Sequence, residues 1–265
     1  MPSKLHTGLP TLTIGVLAKN EAHQIERCLR SAAFADEIIV VDSGSSDATV
    51  EIAQRLGAKT YVYADWQGFA VQRNRLLQHA SGDYILFLDA DEEITPRLQA
   101  EIQAAVRSGQ RAVWKVEWSV VAYGEELHYF LSQSSLERLF RRDMLTGFEG
   151  VVHEHAVLSE PQAPRHVFQA KLRHFSRQTV RGSLQKLTQY AMLGATKRAE
   201  AGKRGGVLRG LASGLAIFLR LYVFRLGFTG GGAGFLFCFF IALECFFRYA
   251  ALYYDRPYLS ADVGR

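Results

Sequence analysis

The first 107 residues alternate between short apolar runs and amphipathic segments. Apolar runs without alternation are typical of strands covered on both faces of a sheet, whereas apolar positions at i, i+4 and i+7 indicate helices. We therefore predict strands at 12–17, 37–41, 59–63 and 84–88, and helices at 22–33, 47–56, 69–80 and 96–107. Asp47 is the expected N-cap of the second helix. Strands that alternate with helices predict an α/β domain with a parallel sheet.

Further along, the pattern changes from strands to helices. Residues 112–121 and 136–142 alternate like strands of an antiparallel edge. A basic helix is predicted at 180–199, and an amphipathic helix at 207–226 carries Arg209, Ser213 and Arg220 on one narrow face. A glycine hinge at 230–232 then precedes an apolar, aromatic run to Tyr254. We expect a catalytic domain at 1–176 and a basic, hydrophobic helical region at 177–265.

The charge of the chain is divided along its length. The 265 residues carry a net charge of +5, but residues 165–225 hold 13 Lys and Arg and one acidic residue, a net +12 that leaves −7 for the rest. Such asymmetry indicates an acidic partner at the basic end, either nucleic acid or an anionic membrane. Nucleic acid is disfavoured because no aromatic-basic RNA signature or zinc site is present. The three cysteines have no metal-type spacing and are expected to be reduced thiols.

Acidic or Asn-bearing loops follow three of the predicted strands, at 20–21, 42–47 and 89–93. Ligands of open α/β sheets bind beyond the carboxyl ends of the strands, so these loops should converge on one cleft. Asp89 and Asp91 are suited to a hard divalent cation, Mg²⁺ or Mn²⁺, that bridges a nucleotide diphosphate. Asp42 is placed to accept a hydrogen bond from a nucleobase. Neither a Walker lysine motif nor Gly-x-Gly-x-x-Gly occurs in 12–107, which disfavours P-loop and dinucleotide sites.

Four segments in this order resemble family 2 glycosyltransferases of the GT-A fold. They are Thr13–Glu21 (TIGVLAKNE), Val40–Thr49 (VVDSGSSDAT), Arg73-Asn74 and Leu88–Glu92 (LDADE). Together with Arg138–Arg142 and Gly150–Glu154, the set is similar to the bacterial lipopolysaccharide inner-core β-1,4-glucosyltransferase group, over residues 11–160. The resemblance implies a Rossmann-like mixed sheet with helices on both faces.

The resemblance also implies roles for individual residues. Those expected at the nucleotide are Ala18, Asn20, Glu21, Asp42, Arg73, Asp89 and Ala90. Asp89 would meet the ribose or the metal, and Asp91 the metal. Many family members carry a second Asp where this chain has Ser43, which leaves Asp42 alone in its loop.

Two positions in His153-Glu154-His155 are candidates for chemistry. Glu154 is the candidate catalytic base and His153 a candidate metal ligand. Neighbouring residues of a strand point to opposite faces, so His153 and Glu154 share one cleft only if the chain turns there. The competing interpretation is that both are surface residues of a strand.

The apolar C-terminal part has three interpretations. The glycine run interrupts its apolar stretch, and Glu244 and Arg248 follow at i, i+4, where they could pair on one helix face. Because a charge pair in mid-span is costly, we favour an interfacial or re-entrant hairpin over a spanning helix or a soluble core. Residues 1–12 lack the apolar stretch of a signal peptide, so we expect the cytoplasmic face of the inner membrane, with peripheral or monotopic attachment.

The expected function is an inverting, metal-dependent glycosyltransferase. It would move a hexose, by preference glucose from UDP-glucose, onto a lipid-linked saccharide such as the lipopolysaccharide core. The alternatives are a non-catalytic membrane adaptor that binds a sugar nucleotide, and a nucleotidyltransferase. The last lacks support because no Gly-rich basic phosphate loop occurs near residues 15–30.

Overall fold

A computed structural model describes residues 8–130, 135–150 and 154–259 of the chain. Its longer helices are α1 Ile25–Ser31, α2 Thr49–Arg55, α3 Phe69–His79, α4 Pro96–Arg107, α5 Val180–Glu200, α6 Val207–Leu219 and α7 Gly231–Tyr254. Its strands are β1 Leu12–Ala18, β2 Glu37–Asp42, β3 Lys59–Val62, β4 Tyr84–Asp89, β5 Glu92–Glu93, β6 Val113–Ala122, β7 Glu125–Glu126, β8 Ser135–Arg141, β9 Leu145–Glu149, β10 His155–Leu158, β11 Arg165–Val167 and β12 Leu172–Arg177.

The chain divides into two compact units, Met1–Trp118 with Ser134–His174 and Ser119–Gln133 with Phe175–Arg265. In the first unit, β3, β2, β1 and β4 lie side by side in that order and run parallel. Strand β8 then pairs antiparallel with β4, and β6 pairs antiparallel with β8. The sheet is therefore mixed, and it has the GT-A architecture that the sequence predicted.

Helices cover both faces of this sheet, and β1 is therefore buried along its whole length. Ile14 and Val16 face one core, which contains residues of α1, α2 and α4. Leu17 faces the other core, with Leu76 of α3. A β-carbon on Gly15 would lie 2.0 Å from a methyl carbon of Leu76, so glycine at this position permits the close approach of α3 to β1.

The second unit contains the three longest apolar or basic helices. A buried ion pair joins Arg177 to Glu244 of α7. The backbone N–H of Tyr123 donates to the Arg177 carbonyl over 2.6 Å, and the Tyr123 hydroxyl lies 2.8 Å from Oγ of Ser183. The helical spacing offered Arg248 as a partner for Glu244, but the ion pair forms with the long-range partner Arg177, because the two charges are buried together.

Most predicted elements are confirmed, with corrections at their ends. Helix α4 spans 96–107 as predicted, since Thr95 accepts a hydrogen bond from the Leu98 N–H and Pro96 begins the first turn. Helix α2 begins at Thr49, later than predicted, but the Asp47 carboxylate accepts from the Thr49 N–H (3.0 Å) at its start and also from the Ala22 N–H (3.1 Å). The 207–226 helix continues beyond Leu219 as a π-helical turn, Arg220–Phe224. The predicted glycine break lies at the start of α7, where the left-handed backbone of Gly231, φ 55°, separates this helix from the turn Gly227–Gly230.

Glu37, at the start of β2, connects β1, β3 and the turn before β4 at the amino end of the sheet. Its carboxylate accepts hydrogen bonds from Thr13 Oγ1 (2.6 Å), Lys59 Nζ (2.7 Å) and the Ser81 N–H (2.9 Å). Burial alone raises the pKa of Glu37, but these donors outweigh it and lower the pKa to about 2. The charged form is therefore stabilised in the folded state.

We expect Glu37→Gln to lower the free energy of unfolding at pH 7 by about 1–3 kcal/mol, as estimated from the pKa shift. The difference should be complete above the ordinary Glu pKa of about 4.3 and should shrink as the pH falls toward 2, since the folded-state pKa is the lower one. Urea denaturation of both proteins from pH 7 to pH 3 measures it. A difference that is independent of pH would show that the charge of Glu37 is not what stabilises the fold.

Candidate active site

The loops after β1 and β2 are held together by side chains. Asn20 has a left-handed backbone, φ 56°, a conformation that Asn tolerates better than most residues. Its N–H donates to Ser45 Oγ and its side-chain oxygen accepts from the Ser46 N–H, each with a donor–acceptor distance of 2.8 Å. The Glu21 N–H donates to Thr49 Oγ1 over 2.8 Å. Two of the three predicted loops therefore meet, as expected for adjacent parallel strands.

Asp42 is fully buried in the loop after β2. One carboxylate oxygen accepts from the N–H groups of Gly44 (2.9 Å) and Ser45 (2.8 Å), and the other accepts from the Ser45 hydroxyl. Asp42 lies opposite Ala18 in the β1–β2 register. The structure thus brings together Ala18, Asn20 and Asp42 at one strand end, and the Asp42 carboxylate shapes its own loop.

The carboxyl end of β4 is a cluster of buried charges. Nη2 of Arg138, on β8, donates to Asp89 over 2.7 Å and to Glu92 over 2.8 Å. Glu92 also accepts from Trp118 Nε1 (2.7 Å) and from the Asp89 N–H (2.8 Å). Within the described residues, Nε and Nη1 of Arg138 have no hydrogen-bond partner. The sequence indicated Asp89 but not its dependence on Arg138 and Glu92.

Burial and charge act in opposite directions on the pKa values of this cluster. Burial raises the pKa of Asp89, but the guanidinium groups of Arg138 and Arg73 outweigh it and hold that pKa well below its ordinary range. Burial raises the pKa of Glu92 above its ordinary value, although Arg138 opposes the shift. Asp89 is therefore a carboxylate at neutral pH.

A third carboxylate, Glu154, joins the cluster through Arg73 of α3. Arg73 is buried, with its Nη2 3.6 Å from Asp89 and its Nε 3.5 Å from Glu154. Its guanidinium carbon lies 5.6 Å and 5.8 Å from the ring centres of Phe87 and Phe148. Ion pairs thus run continuously from Glu154 through Arg73 and Asp89 to Arg138. The predicted base and the predicted nucleotide contact lie on the same side of the sheet.

Asn74 holds the strand pair that carries Glu154. Its side-chain nitrogen donates to the Phe148 carbonyl over 3.0 Å, and its side-chain oxygen accepts from the Phe148 N–H over 2.7 Å. Phe148 lies on β9, which pairs antiparallel with β10 and places Glu149 opposite His155. The adjacent residues Arg73 and Asn74 therefore fix this hairpin to α3 by one ion pair and two hydrogen bonds.

Asp91 pairs with His174, a residue that the sequence analysis did not identify as a candidate. His174 Nε2 lies 3.3 Å from Asp91 Oδ2, and its ring stacks on Trp118 with 4.5 Å between ring centres. Burial lowers the pKa of His174, but Asp91 outweighs it, so that the pKa is raised. The β12–β5 pairing sets His174 opposite Glu92. No local motif marks His174, because its partner lies 83 residues away.

A cavity of about 540 Å³ lies against this charge cluster. Its lining includes Arg73, Asp89, Lys115, Trp118, Arg138 and Glu154. The volume is in the range of small-molecule sites. Within the described residues, no group of three or more His, Cys, Asp and Glu side chains is arranged to hold a metal ion. The predicted ligand His153 lies outside the described residues.

The chain is similar to several curated proteins. Over 89 residues it is 47% identical to an uncharacterized glycosyltransferase of Rickettsia bellii, a match covering 33% of this chain and 30% of that protein. Over 248 residues it is 25% identical to an uncharacterized glycosyltransferase of Rickettsia prowazekii, covering 89% and 85%. A TPR repeat-containing protein of Synechococcus elongatus is 32% identical over 57% of this chain and 36% of its own length. The first of these relatives is thus matched over about a third of its length.

Solved structures of similar fold include Staphylococcus aureus TarS, residues 1–349, and glucosyl-3-phosphoglycerate synthase of Mycobacterium tuberculosis. The first is 18% identical with a TM-score of 0.48, over 63% of this chain and 60% of that one. The second is 21% identical with a TM-score of 0.47, over 68% and 74%.

The family model of glycosyl transferase family 2 matches residues 13–156, which is more than half of the chain. The matched segment contains β1, the charge cluster at the end of β4 and Glu154. The chain therefore belongs to glycosyltransferase family 2.

Proposed function

We propose that this protein transfers a hexose from a nucleoside diphosphate sugar, by preference UDP-glucose, to a lipid-linked saccharide such as the lipopolysaccharide inner core. The observation that carries the proposal is the row of ion pairs from Glu154 to Asp89 along the 540 Å³ cavity. It sets a candidate base beside the strand ends that, in open α/β sheets, bind nucleotides.

The nucleotide would lie over the loops after β1 and β2. Ala18, Asn20 and Glu21 are assigned to the nucleoside, and Arg73, Asp89 and Ala90 to the ribose and diphosphate. Asp42, buried and held by its own loop, would shape the nucleoside pocket. Both oxygens of Asp89 already face guanidinium groups, 2.7 Å from Arg138 and 3.6 Å from Arg73. This favours Asp89 as a ribose contact over Asp89 as a metal ligand.

Asp91 and His174 are the residues that we propose to hold Mg²⁺ or Mn²⁺. They supply one carboxylate and one imidazole 3.3 Å apart, a donor set that suits Mn²⁺. Such cations commonly complete their coordination with water and substrate phosphates. When bound, the cation would offset charge on the departing diphosphate. We thus propose His174 as the imidazole ligand. The sequence predicted His153 for this role, and that prediction is untested because His153 lies outside the described residues.

Glu154 is proposed as the catalytic base. Its carboxylate would accept the proton of the acceptor hydroxyl while that oxygen forms a bond to the anomeric carbon from the face opposite the leaving group. The bond from the anomeric carbon to the diphosphate oxygen breaks with its electron pair, and UDP leaves. One displacement inverts the anomeric configuration, which NMR of the product measures. Arg73 and Asn74 position Glu154 for this step.

Membrane association is proposed for the second unit. Two segments are long and apolar enough to cross a membrane by length and composition: Val207–Phe224, with a mean hydropathy of 1.6, and Gly227–Tyr254, in which an 18-residue stretch has a mean hydropathy of 1.9. Exposed Arg209 and Arg220 lie only about 16 Å apart along the helix axis, and Glu244 is ion-paired midway along α7. These charges favour an interfacial or re-entrant hairpin in the cytoplasmic leaflet over one that spans the bilayer. Basic residues near an anionic surface contribute about 1 kcal/mol each.

The substrate class is tested by mass spectrometry of cell-envelope glycolipid with and without this protein. We expect the loss of one hexose from the lipopolysaccharide core. Calorimetry with UDP-glucose distinguishes the adaptor alternative, since nucleotide binding with no transfer to any extracted acceptor would support it.

Metal dependence generates a second prediction. Asp91→Ala and His174→Ala should each lower transfer by about 10–100-fold or more, because each removes a proposed ligand. Calorimetric titration of Mn²⁺ with UDP present should show the same loss of affinity. Glu93→Ala is the matched control, since Glu93 lies in the same turn but faces Arg173 at 3.8 Å. Unchanged turnover in Asp91→Ala and with chelator would refute metal dependence.

The assignment of the base generates a third prediction. Glu154→Gln should lower kcat by about 10²–10⁴-fold, the usual contribution of a general base, with the donor KM nearly unchanged. Glu149→Gln is the control, because Glu149 is exposed on β9 of the same hairpin. If Glu154→Gln kept the kcat of the unaltered protein, another group would have to take the proton.

A further inference from the structure

An apolar groove of about 480 Å³ lies between α6 and α7 in the second unit. Its lining consists entirely of glycine, aliphatic and aromatic residues: Leu211, Gly214, Leu215, Phe218, Phe235, Phe239, Ala242, Leu243 and Phe246. We call this feature the α6–α7 groove.

Glycines on α6 create the groove by bringing the two helices close. A β-carbon on Gly210 would lie 2.8 Å from the Phe246 carbonyl oxygen, and one on Gly214 would lie 3.0 Å from that of Ala242. Small residues at such spacing let helix backbones approach in the manner of membrane helices. Around this contact, Phe235 and Phe239 stack with 5.5 Å between ring centres, and Phe218 packs edge-on against Phe235 at 5.7 Å. The glycines form the floor of the groove, and the larger leucine and phenylalanine side chains form its walls.

The surroundings of the groove are also apolar and exposed. Leu208 of α6 is 82% exposed and Leu215 is 61% exposed, and Phe224 and Phe228 are exposed beyond the end of α6. A soluble protein rarely leaves so large an apolar patch in water. A peptide main chain in this groove would find no hydrogen-bond partner among the lining side chains, which is costly. A hydrocarbon chain needs none.

One end of the helix pair is basic and aromatic. The start of α6 meets the end of α7, since a β-carbon on Gly205 would lie 2.5 Å from the Tyr249 carbonyl oxygen. Lys203, Arg204 and Arg209 lie at this end, and Arg256 donates to the Lys203 carbonyl over 3.4 Å. Tyr253, Tyr254 and Tyr258 are exposed close by in the sequence. Tyrosine and basic residues are typical of the headgroup level of a membrane.

We propose that the α6–α7 groove holds one acyl chain of an anionic phospholipid, with the headgroup at the basic end formed by Lys203, Arg204 and Arg256. The inference rests on the proposed membrane association and adds a discrete lipid site to it. The apolar lining suits the acyl chain, and the basic side chains suit a negatively charged headgroup.

Photo-crosslinking tests this site with the full chain. The probe is a phosphatidylglycerol that carries a diazirine in the middle of one acyl chain, in vesicles of phosphatidylcholine and phosphatidylglycerol. Mass spectrometry of the labelled peptides gives the distribution of crosslinks. We expect the highest yield on the groove residues Leu215 and Phe239, above that on the more exposed Leu208 and Phe224.

Two leucines of α6 supply a matched pair of variants. Leu215→Gln and Leu208→Gln make the same substitution at exposed positions, but only Leu215 lines the groove. We expect Leu215→Gln to lower crosslinking in the groove by about tenfold or more, the effect of losing one buried leucine contact, and Leu208→Gln to change it by less than about twofold. If lipid covers the helices without a discrete site, Leu208→Gln should lower crosslinking at least as much as Leu215→Gln, because Leu208 is the more exposed of the two.

Vesicle flotation separates failure of this inference from failure of the membrane proposal. Absence of flotation would refute membrane association and the lipid site together. Flotation with crosslinks that follow exposure, strongest at Leu208 and Phe224, would refute the lipid site alone.

Discussion

The site depends on the burial of one guanidinium group, that of Arg138. It is almost fully shielded from water, and its Nη2 bridges Asp89 and Glu92. Burying a charge costs several kcal/mol unless an opposite charge and good hydrogen-bond geometry offset that cost. The antiparallel pairing of β8 with β4 sets Leu139 opposite Leu86, which brings Arg138 to the carboxyl end of β4. Sheet pairing and charge neutralisation therefore support each other at this point.

The same balance organises the rest of the charge cluster. Asp89 and Glu154 face Arg73, and Glu92 receives hydrogen bonds from Trp118 and the Asp89 main chain as well as from Arg138. The side chains that we assign to the donor and the base are thus held by protein contacts before any substrate binds. Such preorganisation is what electrostatic catalysis requires, since little reorganisation is left for the reaction itself. Asp91 pairs with the imidazole of His174, 3.3 Å away.

The second unit uses charge differently. Its buried carboxylate, Glu244, is held by Arg177, while its other described basic residues lie mostly on exposed surfaces. The apolar side chains of α6 are also exposed, so that this helix presents both charge and hydrocarbon outward. The net charge of +5 for the whole chain hides this contrast between an acidic first unit and a basic, apolar second one.

Local signals in the sequence determined the elements and the general position of the site. Thr95 and Pro96 define the start of α4 within a few neighbouring residues, and the unbroken apolar runs of β1 and β4 predict a sheet that is covered on both faces. Since parallel strands end at one edge, the meeting of the loops that carry Asn20 and Asp42, next to the strand that ends at Asp89, followed from order along the chain. The resemblance in residues 11–160 then pointed to the family that the match to residues 13–156 confirms.

Tertiary structure alone decided which charges meet. His174 reaches Asp91 because β12 pairs with β5, Glu154 reaches Arg73 because Asn74 holds the β9–β10 hairpin, and Glu244 pairs with Arg177. Helical spacing suggested Arg248 for the last of these, because a sequence displays only neighbours within a turn or two. Partners separated by 67 or 83 residues depend on strand register and on which charges are buried together. Those are properties of the packed chain, in which desolvation selects the partner, and no local pattern encodes them.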